Sequence, residues 1–215
     1  MTGNIKAKIL QNDALKYCKH CHNTIASISH ILLGCPVMKK NQILKHDYVC
    51  KQIYKHLLIT HLNEFDAIDF NNPPKCINND KMVITYNKDL LVSDNSFHAR
   101  RQDIYYQNMK EKKEYIIDVA ICQDNNLELN YIHKINKYKD LQEELRNNRE
   151  LIYVEIISVI LSINGLIHKE SPRRLKALKL QLNFTKNPMN NNNKKYERLN
   201  VLHIQFWQHN RRRTI

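Results

Sequence analysis

The sequence predicts a mixed α/β domain, a mixed β-sheet flanked by helices, with a small metal-binding module and a helix in front of it. Three observations lead there. Residues 114–121 and 151–163 are apolar on both faces, as strands are when helices cover both sides of a sheet. Between them, residues 127–147 carry apolar side chains at helical spacing, so strand, helix and strand form a βαβ unit. Upstream, Cys18, Cys21, His30 and Cys35 stand at the spacing of a tetrahedral metal site.

The totals narrow the classes of function. A chain of 215 residues with 42% hydrophobic residues makes one domain of ordinary size with a real core, plus a small appended module. Only three glycines are present, and neither GxxxxGK[ST] nor GxGxxG occurs, which excludes nucleotide sites built on glycine-rich loops. The net charge of +13 favours a polyanionic partner, DNA or alternatively RNA. Part of that charge reflects a lysine- and asparagine-rich composition, but the pair Arg100-Arg101 and the run Arg211-Arg212-Arg213 do not. The first residues are polar and no run reaches the roughly 18 apolar residues of a membrane span. The expectation is a protein that is not secreted, has no membrane partner, and works in the nucleus or cytoplasm, where free or metal-bound thiols outnumber disulfides.

Residues 1–16 read as a piece of helix or a leader. In residues 17–36, Cys18-x2-Cys21 makes a tight turn that aims two thiolates at one ion, and His30-x4-Cys35 completes a tetrahedron, the signature of a structural zinc site. His20 and His22 flank the pair. Residues 37–62 form a connecting helix entered at Pro36, with Val37, Ile43 or Leu44, Tyr48, Cys50, Ile53, Leu57 and Leu58 toward a core. Within it, His46, His56 and His61 are expected to be solvated or half-buried, and Cys50 to be a small core residue. Residues 63–80 are a loop with Asn71-Asn72-Pro73-Pro74 as its breaker, and it carries Glu64, Asp66 and Asp69.

The main domain spans residues 80–182. Residues 82–86 alternate as a strand, and 90–92 suggest another. Residues 104–106 and 114–121 make a hairpin across the charged turn 107–113. In its second strand Ile116, Asp118 and Ala120 share one face, and Ile117, Val119 and Ile121 the other. Asp118 is therefore an acid in a dry strand, costly unless paired with Arg100 or Arg101 or bound to a metal. In the following helix Tyr131, Ile135, Tyr138, Leu141, Gln142 and Leu145 form one stripe. Lys134 falls within about 40° of its centre, so it reaches toward something anionic or lays its stem along the apolar surface. Asn164-Gly165 ends the next strand, and Ser171-Pro172 opens a basic helix, with Ser171 as its N-cap and Pro172 in its first turn. Residues 183–215 form a basic low-complexity tail, with 185–198 expected to be disordered.

Taken in order, these residues resemble the C-terminal region of non-LTR retrotransposon proteins, in which a CCHC zinc knuckle precedes a restriction-like PD-(D/E)xK endonuclease. Cys18, Cys21, His30 and Cys35 match the knuckle. Arg101-Gln102-Asp103 stands where the family has Arg-Pro-Asp, with Gln102 in place of proline. Ile117-Asp118-Val119-Ala120 matches its Ile-Asp-Val-Ala strand, and Lys134, Lys137, Tyr138, Asp140 and Leu141 match its helix motif. Ser93-Asp94 resembles a further upstream acid. The resemblance covers about residues 17–180 and does not extend to a reverse transcriptase, which 215 residues could not contain. It implies a metal-dependent DNA endonuclease that nicks target DNA by phosphodiester hydrolysis, the nick priming reverse transcription. Asp103 and Asp118 would hold Mg²⁺ or Mn²⁺, and Lys134 or its substitute Lys137 would act on the attacking water and the phosphate. Arg100 and Arg101 would hold the DNA backbone, and zinc would be structural. The alternative is a nucleic-acid-binding zinc-knuckle protein without catalysis.

Overall fold

The computed structural model describes residues 3–61, 74–88, 101–148, 153–180, 184–185 and 196–199. The first helix, α1 (Gly3–Leu10), is followed by the Cys/His module and then by α2 (Lys39–His61). Strands β1 (Cys76–Asn78), β2 (Met82–Tyr86), β3 (Ile104–Asn108) and β4 (Lys113–Cys122) form an antiparallel meander. Helices α3 (Leu127–Lys137) and α4 (Lys139–Asn148) cross over to β5 (Tyr153–Ser162), which pairs with β4 in parallel from Lys113–Tyr153 to Cys122–Ser162. This is the βαβ unit expected from the sequence. A short β6 (Leu166–His168), helix α5 (Glu170–Ala177) and two further strands, β7 (Phe184–Thr185) and β8 (Tyr196–Leu199), complete a sheet in the order β1-β2-β3-β4-β5-β6-β8-β7.

The sheet is mixed, and helices flank both faces. On one side α2 sets Val49, Cys50, Ile53, Leu57 and Leu58 against Ile84, Ile104, Ile117, Val119, Ile157 and Val159, joined by Leu175 of α5. On the other side Tyr138, Leu141 and Leu145 pack on Tyr105, Ile116, Val154 and Ile156, while Leu127 and Tyr131 cover Ile160. The alternation read in β4 is thus obeyed, with odd-numbered residues under α2 and even-numbered ones under α3 and α4. No helix among the described residues is long and apolar enough to cross a membrane.

Local chemistry sets the turns. Asn79 Oδ1 accepts the backbone N–H groups of Lys81 and Met82 at 3.0 and 2.9 Å, closing the β1–β2 hairpin as an Asx turn. Asn108 Oδ1 does the same for Glu111, so β3 and β4 run longer and their connection is shorter than the expected 107–113. Gly165 takes φ +82° in the β5–β6 turn, a backbone conformation that side chains with a Cβ seldom adopt.

Four expectations are corrected. Val37, Ile43 and Leu44 lie exposed, because the first turns of α2 run beside the Cys/His module before the helix reaches the sheet. The helix over 127–147 is two helices, broken at Tyr138, whose N–H turns to Ile135 O at 3.3 Å in a tighter i→i+3 bond. Ser171 is no helix cap. It lies buried in the first turn of α5, donating to Ser158 O at 2.8 Å and accepting from Ile160 N at 3.2 Å, which moors the helix to the edge of β5. Finally, the stretch expected to be disordered supplies β8, which pairs antiparallel with β6 and covers an edge whose backbone groups would otherwise lack partners. The expected strand at 90–92, the acids Glu64, Asp66, Asp69 and Asp94, and the Arg211–Arg213 run lie outside the described residues.

Candidate functional site

The four knuckle residues come together. Cys18 and Cys35 Sγ lie 3.9 Å apart and Cys21 Sγ lies 3.3 Å from His30 Nε2. All four ligand atoms fall within 4.8 Å of one another. The backbone explains why. Tyr17 bridges Ile25, Cys18 N donates to Thr24 O at 2.7 Å, and His22 takes φ +58°, folding the CxxC segment into a tight knuckle. His30 opens a wide π-type turn, His30–Gly34, which returns Cys35 N to His30 O at 2.6 Å. Each sulfur also faces main-chain N–H groups: those of Cys21 and His20 for Cys18, of Asn23 and Thr24 for Cys21, and of Met38 and Val37 for Cys35. Burial opposes ionisation of Cys18, but these donors outweigh it and lower its pKa. Three sulfurs cradled by N–H groups and one imidazole are a donor set that fits a tetrahedral ion such as zinc. His20 and His22 are not in the group.

A second site sits where β3, β4, α2 and α3 meet. Asp118 is buried in β4, and its partners are Lys134 and Tyr138. Lys134 Nζ lies 2.5 Å from Asp118 Oδ2. Oδ2 is thus a buried oxygen ion-paired with an ammonium. Tyr138 OH donates to Asp118 Oδ1 at 2.5 Å and accepts from Lys137 Nζ at 2.8 Å, and Lys137 Nζ is itself 3.8 Å from Oδ1. Burial and the Asp118 charge push the Tyr138 phenol far above its ordinary pKa, so it stays a neutral donor. Both lysines are partly open to solvent while Asp118 is not, which leaves the cationic side as the approach.

Asp103 lies just before β3, where the ladder to β4 stops at the Ile104–Ile117 pair. Its Oδ2 accepts the Val119 N–H at 2.7 Å, taking up a strand donor that the ladder has left. The same oxygen is 3.2 Å from His46 Nε2 on α2. Burial would raise the Asp103 pKa, but the His46 bond and charge, the Val119 N–H and the Lys134 charge together hold it below the usual carboxylate range. In turn the Asp103 bond raises His46 to about 9 against the cost of burial, with Asp47 contributing. Cys50, one turn after His46, has its Sγ 3.8 Å from both ring nitrogens. Burial first, then the charges of Asp103, Asp47 and Asp118, push its thiol far above the ordinary value.

Of the residues that the sequence singles out, Lys134 and Lys137 lie against Asp118, while Asp103 is bonded to the backbone of the next residue, Val119, and turns its side chain to His46. The structure gives Arg101 another place: its Nε donates to Asn87 Oδ1 at 3.0 Å and its side chain is not the partner of Asp118. Arg100 lies outside the described residues. Gln102 is buried, with Nε2 3.3 Å from Lys88 O and no partner for Oε1 among the described residues. His46 is half-buried, as expected, but sequence reasoning missed its bond to Asp103 and the polar surroundings of Cys50. The signal was available as His-x3-Cys on a helix, which sets both side chains on one face. Sequence reasoning also missed the bond of Tyr138 to Asp118, having read Tyr138 as an apolar stripe residue and as part of the resemblance's helix motif. No family model matches this sequence, and no curated protein is significantly similar to it.

Proposed function

We propose that the chain is a restriction-like, divalent-metal-dependent DNA endonuclease that nicks DNA by phosphodiester hydrolysis, with a structural zinc in the knuckle formed by Cys18, Cys21, His30 and Cys35. The observation that carries the reading is the buried Asp118 carboxylate with the Lys134 ammonium on Oδ2, and Asp103 anchored to the next residue's backbone. Asp103 and Asp118 are the residues that would hold Mg²⁺ or Mn²⁺, and a bound ion would supply Lewis-acid stabilisation of the phosphate and a more acidic water. Lys134 is a donor aimed at the same carboxylate, so its part is to orient the water and hold charge that develops on the phosphate. Lys137, more exposed, is placed to clamp a neighbouring phosphate. Tyr138 fixes Asp118 Oδ1 and thereby the direction of Oδ2. In the reaction the water oxygen bonds to phosphorus, the bond from phosphorus to the 3′ oxygen breaks, and that oxygen leaves as a 3′ hydroxyl. The expected context is retroelement integration, with the nicked strand as primer.

A second reading is a nucleic-acid-binding zinc-knuckle protein without catalysis. It is favoured by the same carboxylate, which Lys134 and Tyr138 already satisfy as a closed ion-pair network. Supercoiled plasmid incubated with purified protein in Mg²⁺ or Mn²⁺ decides between them. The nuclease reading expects nicked circles, and a loss of about 100-fold or more in rate for Asp118→Ala, with DNA binding kept, given what removing one transition-state contact costs. Binding without nicking by the parent establishes the second reading, and equal nicking by Asp118→Ala removes Asp118 from the mechanism.

A further inference from the structure

The sequence-derived site uses carboxylates alone, but the structure puts a nitrogen and a sulfur beside one of them. His46 and Cys50 occupy successive turns of α2 on one face, and Asp103 meets them from the sheet. The ligand atoms of all three lie within 4.8 Å of one another. Donors around one ion at roughly 2.0 to 2.3 Å lie no more than about 4.6 Å apart, so the group is nearly closed already.

Two further contacts hold these side chains for a ligand's role. Asp47 Oδ1 takes His46 Nδ1 at 3.2 Å, which directs Nε2 toward Asp103, while the Cys50 sulfur lies 3.8 Å from both ring nitrogens. A carboxylate on the far nitrogen is the usual companion of a metal-bound imidazole. The Val119 N–H at 2.7 Å fixes the Asp103 carboxylate in the same way. Cys50 is buried near the charges of Asp103, Asp47 and Asp118, with the His46 ring against its sulfur.

We propose that His46, Cys50 and Asp103 form a second metal site, distinct from the knuckle, that takes a borderline transition ion, Zn²⁺ or Co²⁺, in preference to Mg²⁺. Mixed nitrogen, sulfur and oxygen donors select such ions, whereas Mg²⁺ asks for oxygen ligands throughout. Three protein donors leave a fourth position for water or substrate, as open sites do. The site shares Asp103 with the proposed nuclease centre but does not depend on that reading, because it is tested by binding in the absence of DNA.

The experiment starts from protein carrying one equivalent of zinc in the knuckle, titrated with Co²⁺ and followed by near-ultraviolet absorption and by elemental analysis of both metals. The expected result is a further equivalent of cobalt, uptake unaffected by a large excess of Mg²⁺, and a thiolate-to-cobalt charge-transfer band while the knuckle zinc is retained. Cys50→Ser should lose the band, His46→Gln should lose most of the uptake, and Asp47→Asn should weaken uptake about 10- to 100-fold with the band intact. No further equivalent in the parent, or a band that persists in Cys50→Ser, overturns the site. Cobalt uptake without plasmid nicking keeps this site and removes the nuclease reading. Nicking in Mg²⁺ with no second cobalt does the reverse.

Discussion

At the scale of single residues, Asp118 is held by groups that differ in kind. Lys134 supplies charge on one oxygen and Tyr138 a hydrogen bond on the other. Removing the Tyr138 hydroxyl leaves a buried carboxylate oxygen short of a donor and deprives Lys137 of its acceptor. Tyr138→Phe is therefore expected to lower stability by about 1–3 kcal/mol, measured by urea unfolding, with the ring's packing kept. A change below a few tenths of a kcal/mol would show that Lys134 alone satisfies Asp118. The sequence made Asp118 and Lys134 legible because each breaks a pattern, an acid in a two-sided apolar strand and a lysine inside an apolar stripe. Tyr138 was not legible, since an aromatic residue in that stripe is what a core helix shows anyway. His46 was hidden for a different reason. Its partner, Asp103, lies 57 residues away, and no local periodicity reports such a meeting.

At the scale of elements, α2 does two things. It buries Val49, Ile53, Leu57 and Leu58 against the sheet, and it carries His46 and Cys50 to Asp103. The apolar contact fixes the position of the polar one. Leu57 is fully buried in the centre of that contact. Leu57→Ala is expected to cost about 2–5 kcal/mol in chemical denaturation, the range for a large-to-small change in a packed core. A loss well under 1 kcal/mol would mean that the helix is not seated there. The apolar spacing of Cys50, Ile53, Leu57 and Leu58 was readable in the sequence. That Ile43 and Leu44 stay outside was not, because spacing shows which residues share a face and not how far along a helix its neighbour extends. The break between α3 and α4 was unreadable for a related reason. No proline or glycine marks it, and the bond of Tyr138 to Asp118 accompanies it.

At the scale of the molecule, two cores of unequal size lie side by side. The sheet and its helices bury a large apolar set, whereas the knuckle buries only Cys18, Ala26 and Cys35, with Cys21, Ile31 and Met38 partly covered. So small a set cannot order its chain alone, and ion binding is the remaining source of stability. A strong chelator is expected to remove one tightly held zinc equivalent and to collapse the amide signals of residues 17–36 in a heteronuclear NMR spectrum, leaving those of 104–122 and 153–168 dispersed. Unchanged knuckle signals in metal-free protein would overturn the zinc assignment. At this scale the sequence was most informative: the βαβ unit, the knuckle and the hairpin were all readable. The exception is β8, because strand addition at a free edge depends on backbone groups, which composition does not report.

The longest ladder in the sheet is the parallel one between β4 and β5, and its partners stand 40 residues apart, as Lys113 and Tyr153 do. The hairpins beside it close over a few residues. Long loops must be closed before such pairings contribute, so the meander of β1 to β4 is able to form while β5 is still free. Asp118 lies inside that late ladder, opposite Ser158, and its lysines and tyrosine lie on the crossover that the ladder closes. During synthesis β4 leaves the ribosome well before the segment that shields it. The nascent chain therefore carries a half-covered apolar strand in which Asp118 is the one charged residue between Tyr115 and Cys122.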